Sequence, residues 1–275
     1  FWKWVELCET GGVDSIWQSD RVVSREPVLE CMSVMAALAG ATDRIKFGMN
    51  VASVGLRDPL LLAKQCATID VLSGGRLLPA FGVGSPRAPE WLVTGRSSKG
   101  AGAMAEEGME IMARLWSEDS VTFHGQHFHL DNASISPRPV QKTLPLWIGG
   151  SSEAAMRRTA RLGTGWQAGG ETAVELRVIV ARIKALALEQ GRRMDPDHFG
   201  AGIAFRFGTW DDPIVARQGE AYRKRIGRDP KQAFAVGNAA DILARVREYV
   251  DAGIAIAIGI ELDVILIGIA DPMLD

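Results

Sequence analysis

Ile45-Lys46-Phe47-Gly48-Met49-Asn50-Val51, then Asp58-Pro59, then Arg76-Leu77-Leu78-Pro79-Ala80-Phe81-Gly82-Val83: this stretch decides the fold class. Its two ends are short apolar runs bounded by glycine and polar residues, the form of buried parallel strands. Asp58 before Pro59 is an N-cap followed by proline at the first helical position. Leu62, Cys66 and Ile69 then supply one buried stripe. Strand, helix and strand within about 31 residues make a βαβ unit.

The same rhythm extends in both directions. Val13 to Trp17 reads as a strand, followed by a helix opened by Pro27 with Leu29, Met32, Ala36 and Ala39 inward. A helix from Lys99 to Trp116 follows the third strand, and residues 120–130 read as an inserted hairpin around Gly125. Further strands are expected at 146–149, 165–168, 203–209 and 254–260. Thr172-x-x-Glu175 opens one helix as a capping box, and Asn238 caps another with Ile242, Val246 and Val250 inward. Seven strands alternate with helices, and the first ten residues read as a helix with no strand before it. One N-terminal strand absent from the chain would make eight. The expected class is α/β, a (β/α)8 TIM barrel formed as a single domain over 1–275. A doubly wound open sheet is the alternative, weakened because no G-x-G-x-x-G follows the first strand.

Composition narrows the partners. The 275 residues carry 31 basic and 33 acidic side chains, net −2, which gives no electrostatic drive towards nucleic acid or an anionic membrane. The most apolar stretch, Gly253 to Ala270, is interrupted by Glu261 and Asp263, so it reads as a buried strand with its flank rather than a membrane span. Cys8, Cys31 and Cys66 have no metal-ligand spacing and read as reduced thiols of a cytoplasmic protein. The chain opens at Phe1 rather than Met, so no leader is expected to be visible.

In a barrel, chemistry is expected where strands end. Those ends are Ser19-Asp20-Arg21, Asn50 to Ser53, Gly82-Val83-Gly84-Ser85, Gly149-Gly150-Ser151-Ser152 and Gly165-Trp166. Gly149 and Gly150 let a ligand approach the backbone, and Ser151, Ser152 and a helix N-terminus then offer donors suited to phosphate. A plain N-cap after a tight turn explains the same residues equally well. Gly82 and Gly84 leave a strand end free of side chains, where a flat group could lie, or where backbone simply packs closely. Asp20 and Arg21 could form a surface ion pair or line the barrel mouth. His127 and His129 share one hairpin face with His124 opposite, and no metal site is expected. No Ser-His-Asp set, buried lysine or paired carboxylates emerge, so a cofactor is expected to carry the chemistry.

Several motifs occur in order: Leu72-Ser73-Gly74-Gly75-Arg76-Leu77, Phe81-Gly82-Val83-Gly84, Leu115-Trp116, Pro137-x-Pro139-Val140-Gln141, Pro145-Leu146-Trp147-Ile148-Gly149-Gly150 and Gly165-Trp166. Together they resemble the luciferase-like flavin oxidoreductases, including the deazaflavin (F420)-dependent branch, over roughly Glu6 to Gly253. The resemblance implies FMN or F420 at the barrel mouth. It implies flavin/O2 monooxygenation or hydride transfer on a small-molecule substrate, and a homodimer. Carried over, Gly149, Gly150, Ser151 and Ser152 match the phosphate segment. Asn50-Val51 matches a strand-end bulge with a non-proline cis peptide behind the ring. Gly82, Gly84, Ser85 and Trp166 join the cofactor set, and Asp20 and Arg21 are the catalytic candidates, with Arg21 placing the substrate and Asp20 orienting Arg21 or the ring. Arg76 falls at a strand's N-terminal end and is assigned to stability. Arg21 and Arg87 stand where sugar-phosphate dehydrogenases of the family carry His and an acid, which speaks against glucose 6-phosphate as substrate. Ala101 and Met104 replace arginines of many relatives, which favours a rival reading, a flavin- or ligand-binding barrel that has lost the chemistry.

Overall fold

The computed structural model describes residues 1–24 and 27–261. It divides into two compact units, Phe1–Gly149 and a second beginning at Gly150.

The first unit runs α1 (Trp2–Thr10), β1 (Ser15–Gln18), α2 (Cys31–Ala41), β2 (Lys46–Ser53), α3 (Pro59–Leu72), β3 (Leu77–Gly82), α4 (Pro89–Val93), α5 (Ala101–Ser117), β4 (Val121–His124), β5 (His129–Ala133) and β6 (Trp147–Gly149). Strands β1, β2, β3 and β6 are parallel neighbours in that order. Their C-terminal ends therefore lie at one edge of the sheet. Asp58 caps α3 by accepting from the Leu61 N–H, with Pro59 in the first turn. Arg76 holds the opposite edge. Its guanidinium donates to the Ala39, Thr42, Ile45 and Ser73 carbonyls and to Thr42 Oγ1, tying the C-terminal end of α2 to the N-terminal sides of β2 and β3.

The second unit runs α6 (Glu153–Leu162), β7 (Gly165–Gln167), α7 (Ala173–Glu189), β8 (Phe199–Phe207), α8 (Pro213–Ile226), β9 (Ala235–Gly237), α9 (Ala239–Asp251) and β10 (Ile256–Glu261). Strand β8 pairs in parallel with β10 along Gly200 to Phe205. Its other edge holds β7 near Phe199 and β9 near Phe205. Trp166, Phe199, Ile183 and Tyr249 form the centre of this unit's core.

The Thr172–Glu175 capping box, the Asn238 cap and the βα alternation appear as expected, and Asp241 completes a second capping box at Asn238. Several local expectations are corrected. Helix α2 starts at Cys31, not Pro27, because Glu30 supplies the cap by accepting from Ser33 N–H. Its inward face is Met32, Met35, Leu38 and Ala39, while Leu29 and Ala36 are exposed. In α9 Ile242 and Val246 pack inward as expected, but Tyr249 takes the inward place one position before the expected Val250, which is exposed. Strand β8 begins four residues earlier than expected, and α8 and β9 have no sequence-based counterpart. In the hairpin, His124 is the register partner of His129, their rings 6.1 Å apart, so these two share a face. His127 lies in the turn. The apolar run Gly253 to Ala270 enters β10, and its part beyond Glu261 lies outside the described residues. No helix among the described residues is long and apolar enough to cross a membrane.

Candidate functional site

The C-terminal ends of β1, β2, β3 and β6 bring together most of the expected site residues of the first unit. These are Asp20 and Arg21 beyond β1, Asn50 and Val51 in β2, Gly82, Gly84 and Ser85 at the end of β3, and Gly149 at the end of β6. The pairing of β2 with β3 slips between Met49 and Ala52, so Asn50 and Val51 form a bulge, and the bond between them is cis. Both residues are half-buried. Gly82 sits against this bulge so tightly that a Cβ would meet Val51 Cγ2 at 2.7 Å. Gly84 has φ of +85°, a region open to glycine at little cost, and packs beside Ser53 and Trp91. The edge is therefore backbone and glycine over a half-buried bulge, a surface that accepts something flat.

Asp20 does not orient Arg21. One oxygen, Oδ2, accepts from Ser53 N–H at 2.8 Å and Arg57 Nη1 at 2.7 Å. The other accepts from Arg57 Nη2 at 2.8 Å and the Cys31 thiol at 3.4 Å. A carboxylate offers about four acceptor positions, so Asp20 is saturated. The fork of Arg57 matches a carboxylate at two points. Arg57 also meets Glu30 at 2.9 Å. Burial would lower the Arg57 pKa, but the hydrogen bonds and charge of Asp20 outweigh it and raise it. Burial, reinforced by the Asp20 charge, drives the Cys31 thiol far above the usual range, so Cys31 is no nucleophile. Asp20, Glu30 and Cys31 place ligand atoms within 4.8 Å of one another, but the Arg57 guanidinium holds that space.

Arg21 instead faces Glu90 on α4, Nη1 to Oε1, at 3.8 Å. The Glu90 side chain is 4% exposed, and its Oε2 has no hydrogen-bond partner among the described residues. Neither Arg57 nor Glu90 was visible as a site residue in the sequence. The available signal was position alone: a cation directly after β2, and an acid within the loop that follows Gly82 to Ser85.

In the second unit, Gly150 adopts φ of +113°. Ser152 caps α6 by accepting from Ala155 N–H at 3.2 Å, so the plain N-cap is real. Ser151 and Ser152 are nevertheless exposed. Glu153, the acid in the first turn, is neutralised by Arg157 and Arg182, each at 2.7 Å. The turn thus keeps hydroxyls and helix N–H groups available to an anion. Trp166 acts from behind it: fully buried, it donates its indole N–H to the Gly150 carbonyl at 2.9 Å. That bond shapes the turn.

FMN and F420 both carry a flat ring and a phosphate, and each unit by itself suits one of these groups. The first unit offers a glycine-faced strand edge, and the second opens on a donor-rich turn.

Comparisons with known proteins bear on the same point. The family described as Luciferase-like monooxygenase matches residues 2–226. An uncharacterised protein of Mycobacterium tuberculosis is 34% identical over 61% of this chain and 57% of its own length. The F420-dependent glucose-6-phosphate dehydrogenase of Amycolatopsis mediterranei is 31% identical over 58% of this chain and 49% of its own. The FMNH(2)-dependent dimethylsulfone monooxygenase of Pseudomonas putida is 29% identical over 59% and 45%. The matched stretches span about half the length of these curated relatives. An F420-dependent secondary alcohol dehydrogenase, solved with an F420-acetone adduct, superposes with a TM-score of 0.81 over 93% of this chain and 86% of that one, at 21% identity. That likeness shows the fold expected from the sequence, the α/β barrel class. With most of its length matched by the family, this chain belongs to the luciferase-like monooxygenase family.

Proposed function

We propose that the protein is a flavin- or F420-dependent oxidoreductase acting on a small organic substrate. In this reading the ring rests on the bulge at Asn50-Val51 and the edge from Gly82 to Ser85. The phosphate is held by Gly149, Gly150, Ser151 and Ser152. The observation that carries it is the strand edge of the first unit, where glycine and a half-buried bulge replace the side chains that would otherwise cover it. The bound coenzyme would supply hydride exchange or oxygen activation. The chain's own residues bind and orient: Arg57 fixes Asp20, Asp20 ties the end of β1 to Ser53, and Arg21 stands at the edge to receive an anionic or carbonyl group. A homodimer belongs to the same proposal.

The saturation of Asp20 favours a second reading, a coenzyme- or ligand-binding protein without turnover, since a fully engaged carboxylate has no proton task left. Titration with FMN and with F420, followed by absorbance, tests the proposal. Saturable binding of either with a shifted spectrum is expected. Turnover with reduced FMN and oxygen, or with F420 and an alcohol or carbonyl compound, then separates an enzyme from a binder. A folded protein that takes up neither coenzyme would sink the coenzyme reading and leave only a ligand-binding barrel.

A further inference from the structure

The chain has four histidines. His198 is held by its Nδ1 against the Thr164 carbonyl at 2.9 Å. The other three, His124, His127 and His129, lie on the hairpin of β4 and β5, and the proposed function uses none of them. Val121 is buried, and the register partners Phe123 and Leu130 are half-buried, so one face of the hairpin packs inward. Strand residues alternate between faces, which turns His124, His129 and Asp131 to the other one, where all three are exposed. His127 sits in the turn, outside both strands.

The outward face is arranged as two facing imidazoles and one carboxylate. His124 and His129 stand directly opposite each other across the strands, their rings 6.1 Å apart and within 27° of parallel. His124 Nε2 meets Asp131 Oδ1 at 2.6 Å. An ionised carboxylate only accepts, so Nε2 carries the proton, and in the neutral ring Nδ1 keeps its lone pair. An imidazole that gives one ring N–H to a carboxylate and keeps the other nitrogen free is the usual form of a metal-bound histidine, because that bond fixes the tautomer and raises the basicity of the ligand. The frame beneath is preset. The Gly125 N–H donates to the Phe128 carbonyl at 2.9 Å, and Glu107 accepts from the N–H groups of Gln126, His127 and Phe128 at 2.8–3.2 Å. Arg114, whose guanidinium reaches the Thr122 carbonyl on β4, is neutralised by Glu118 at two points.

We propose that His124 and His129 chelate a divalent transition-metal ion of the copper, nickel or zinc kind across the hairpin, with Asp131 orienting His124. Imidazole is the ligand these ions share, and two neutral rings on opposed strands supply two ligands from one face. Both side chains reach solvent, so the rings can turn about their side-chain bonds to converge on an ion, and water completes its coordination. The ion then staples β4 to β5. None of these residues belongs to the strand edge or the phosphate turn of the proposed function, so the inference stands apart from that reading.

The test titrates the metal-stripped full chain with Zn2+, Ni2+ and Cu2+ by calorimetry, beside His124→Ala, His129→Ala, His127→Ala and Asp131→Asn. Melting temperatures without metal are read first. They should match wild type, because every substituted side chain is exposed. Wild type is expected to take up a single ion, with copper bound tightest, as the order of affinities for such ligands requires. His124→Ala and His129→Ala should each weaken binding by about 100-fold or more and Asp131→Asn by about 10-fold, while His127→Ala leaves it unchanged. Saturating Zn2+ should slow amide exchange along β4 and β5 in wild type and not in His129→Ala. Wild type that binds none of the three ions, or binding that survives either His124→Ala or His129→Ala, overturns the proposal. Equal losses in His127→Ala and His129→Ala place the ion in the turn and overturn it as well. Asp131→Asn that binds like wild type strikes Asp131 from the site.

Discussion

At the scale of single residues, Arg57 decides what Asp20 can do. Its two-point contact and the Ser53 N–H leave Asp20 as the knot between the ends of β1 and β2, with 3% of its side chain exposed. Arg57 is itself largely buried, so removing it leaves a carboxylate in a poorly solvated place with a single backbone donor and a thiol. Breaking a buried pair from one side costs roughly 3–5 kcal/mol. Arg57→Met is therefore expected to lose about that much in denaturant unfolding, and to weaken coenzyme binding as the bulge at Asn50-Val51 loses its brace. Arg57→Lys should recover only part of the loss, since an ammonium cannot satisfy both oxygens in one plane. A destabilisation below about 1 kcal/mol for Arg57→Met would show that Asp20 finds other partners.

At the scale of elements, the inserted hairpin shows where the sequence is readable and where it is not. Gly125 marked the turn correctly, but its reason is tertiary. A Cβ there would collide with Glu107 Oε2 and the Phe123 ring. Glu107 on α5 accepts from the N–H groups of Gln126, His127 and Phe128, anchoring the turn. Burial pushes the Glu107 pKa up, but those three N–H donors outweigh it and bring it below the usual carboxylate value. Its anchoring is thus present above that ordinary value and fades as pH falls through the lowered one. Glu107→Ala is expected to speed amide exchange at Gln126 to Phe128 by about tenfold or more, with the core strands unaffected. Strand identities and caps were legible because they depend on local chemistry: Asp58-Pro59, Thr172 with Glu175, Asn238. Helix faces were less so. Val250 and Tyr249 are both apolar enough to be inward, and only packing on β8 and β9 selects Tyr249. Site residues followed the same division. Glycines at strand ends announce themselves, whereas the pairing of Asp20 with Arg57 rather than Arg21 is a contact across 37 residues that no local pattern encodes.

At the scale of the whole molecule, the only two tyrosines in the chain share the alkaline limit of stability with its buried thiols, whose pKa values burial also raises. Both tyrosines serve the segment that follows β7. Tyr222 donates its hydroxyl to the Gly170 carbonyl and Tyr249 to the Glu171 carbonyl, each at 3.0 Å. These bonds exist only while the phenols keep their protons. Burial pushes Tyr249 up from 10.0 to about 12 and Tyr222 up in the same direction. In the unfolded chain both phenols ionise near 10. The unfolded state therefore sheds protons that the folded state retains. The stability these groups contribute is whole below about pH 10 and is lost progressively as pH rises towards the folded value. The melting temperature of wild type is expected to fall between pH 10 and 12, and Tyr249→Phe should flatten that fall because its ring cannot ionise. Below pH 9 the same variant should be slightly less stable than wild type, by about 1 kcal/mol for the lost bond. The two curves must then converge or cross on the alkaline side. Parallel curves across the whole range would mean that the buried thiols or the chain's charges, rather than the clamp on Gly170 and Glu171, set the limit.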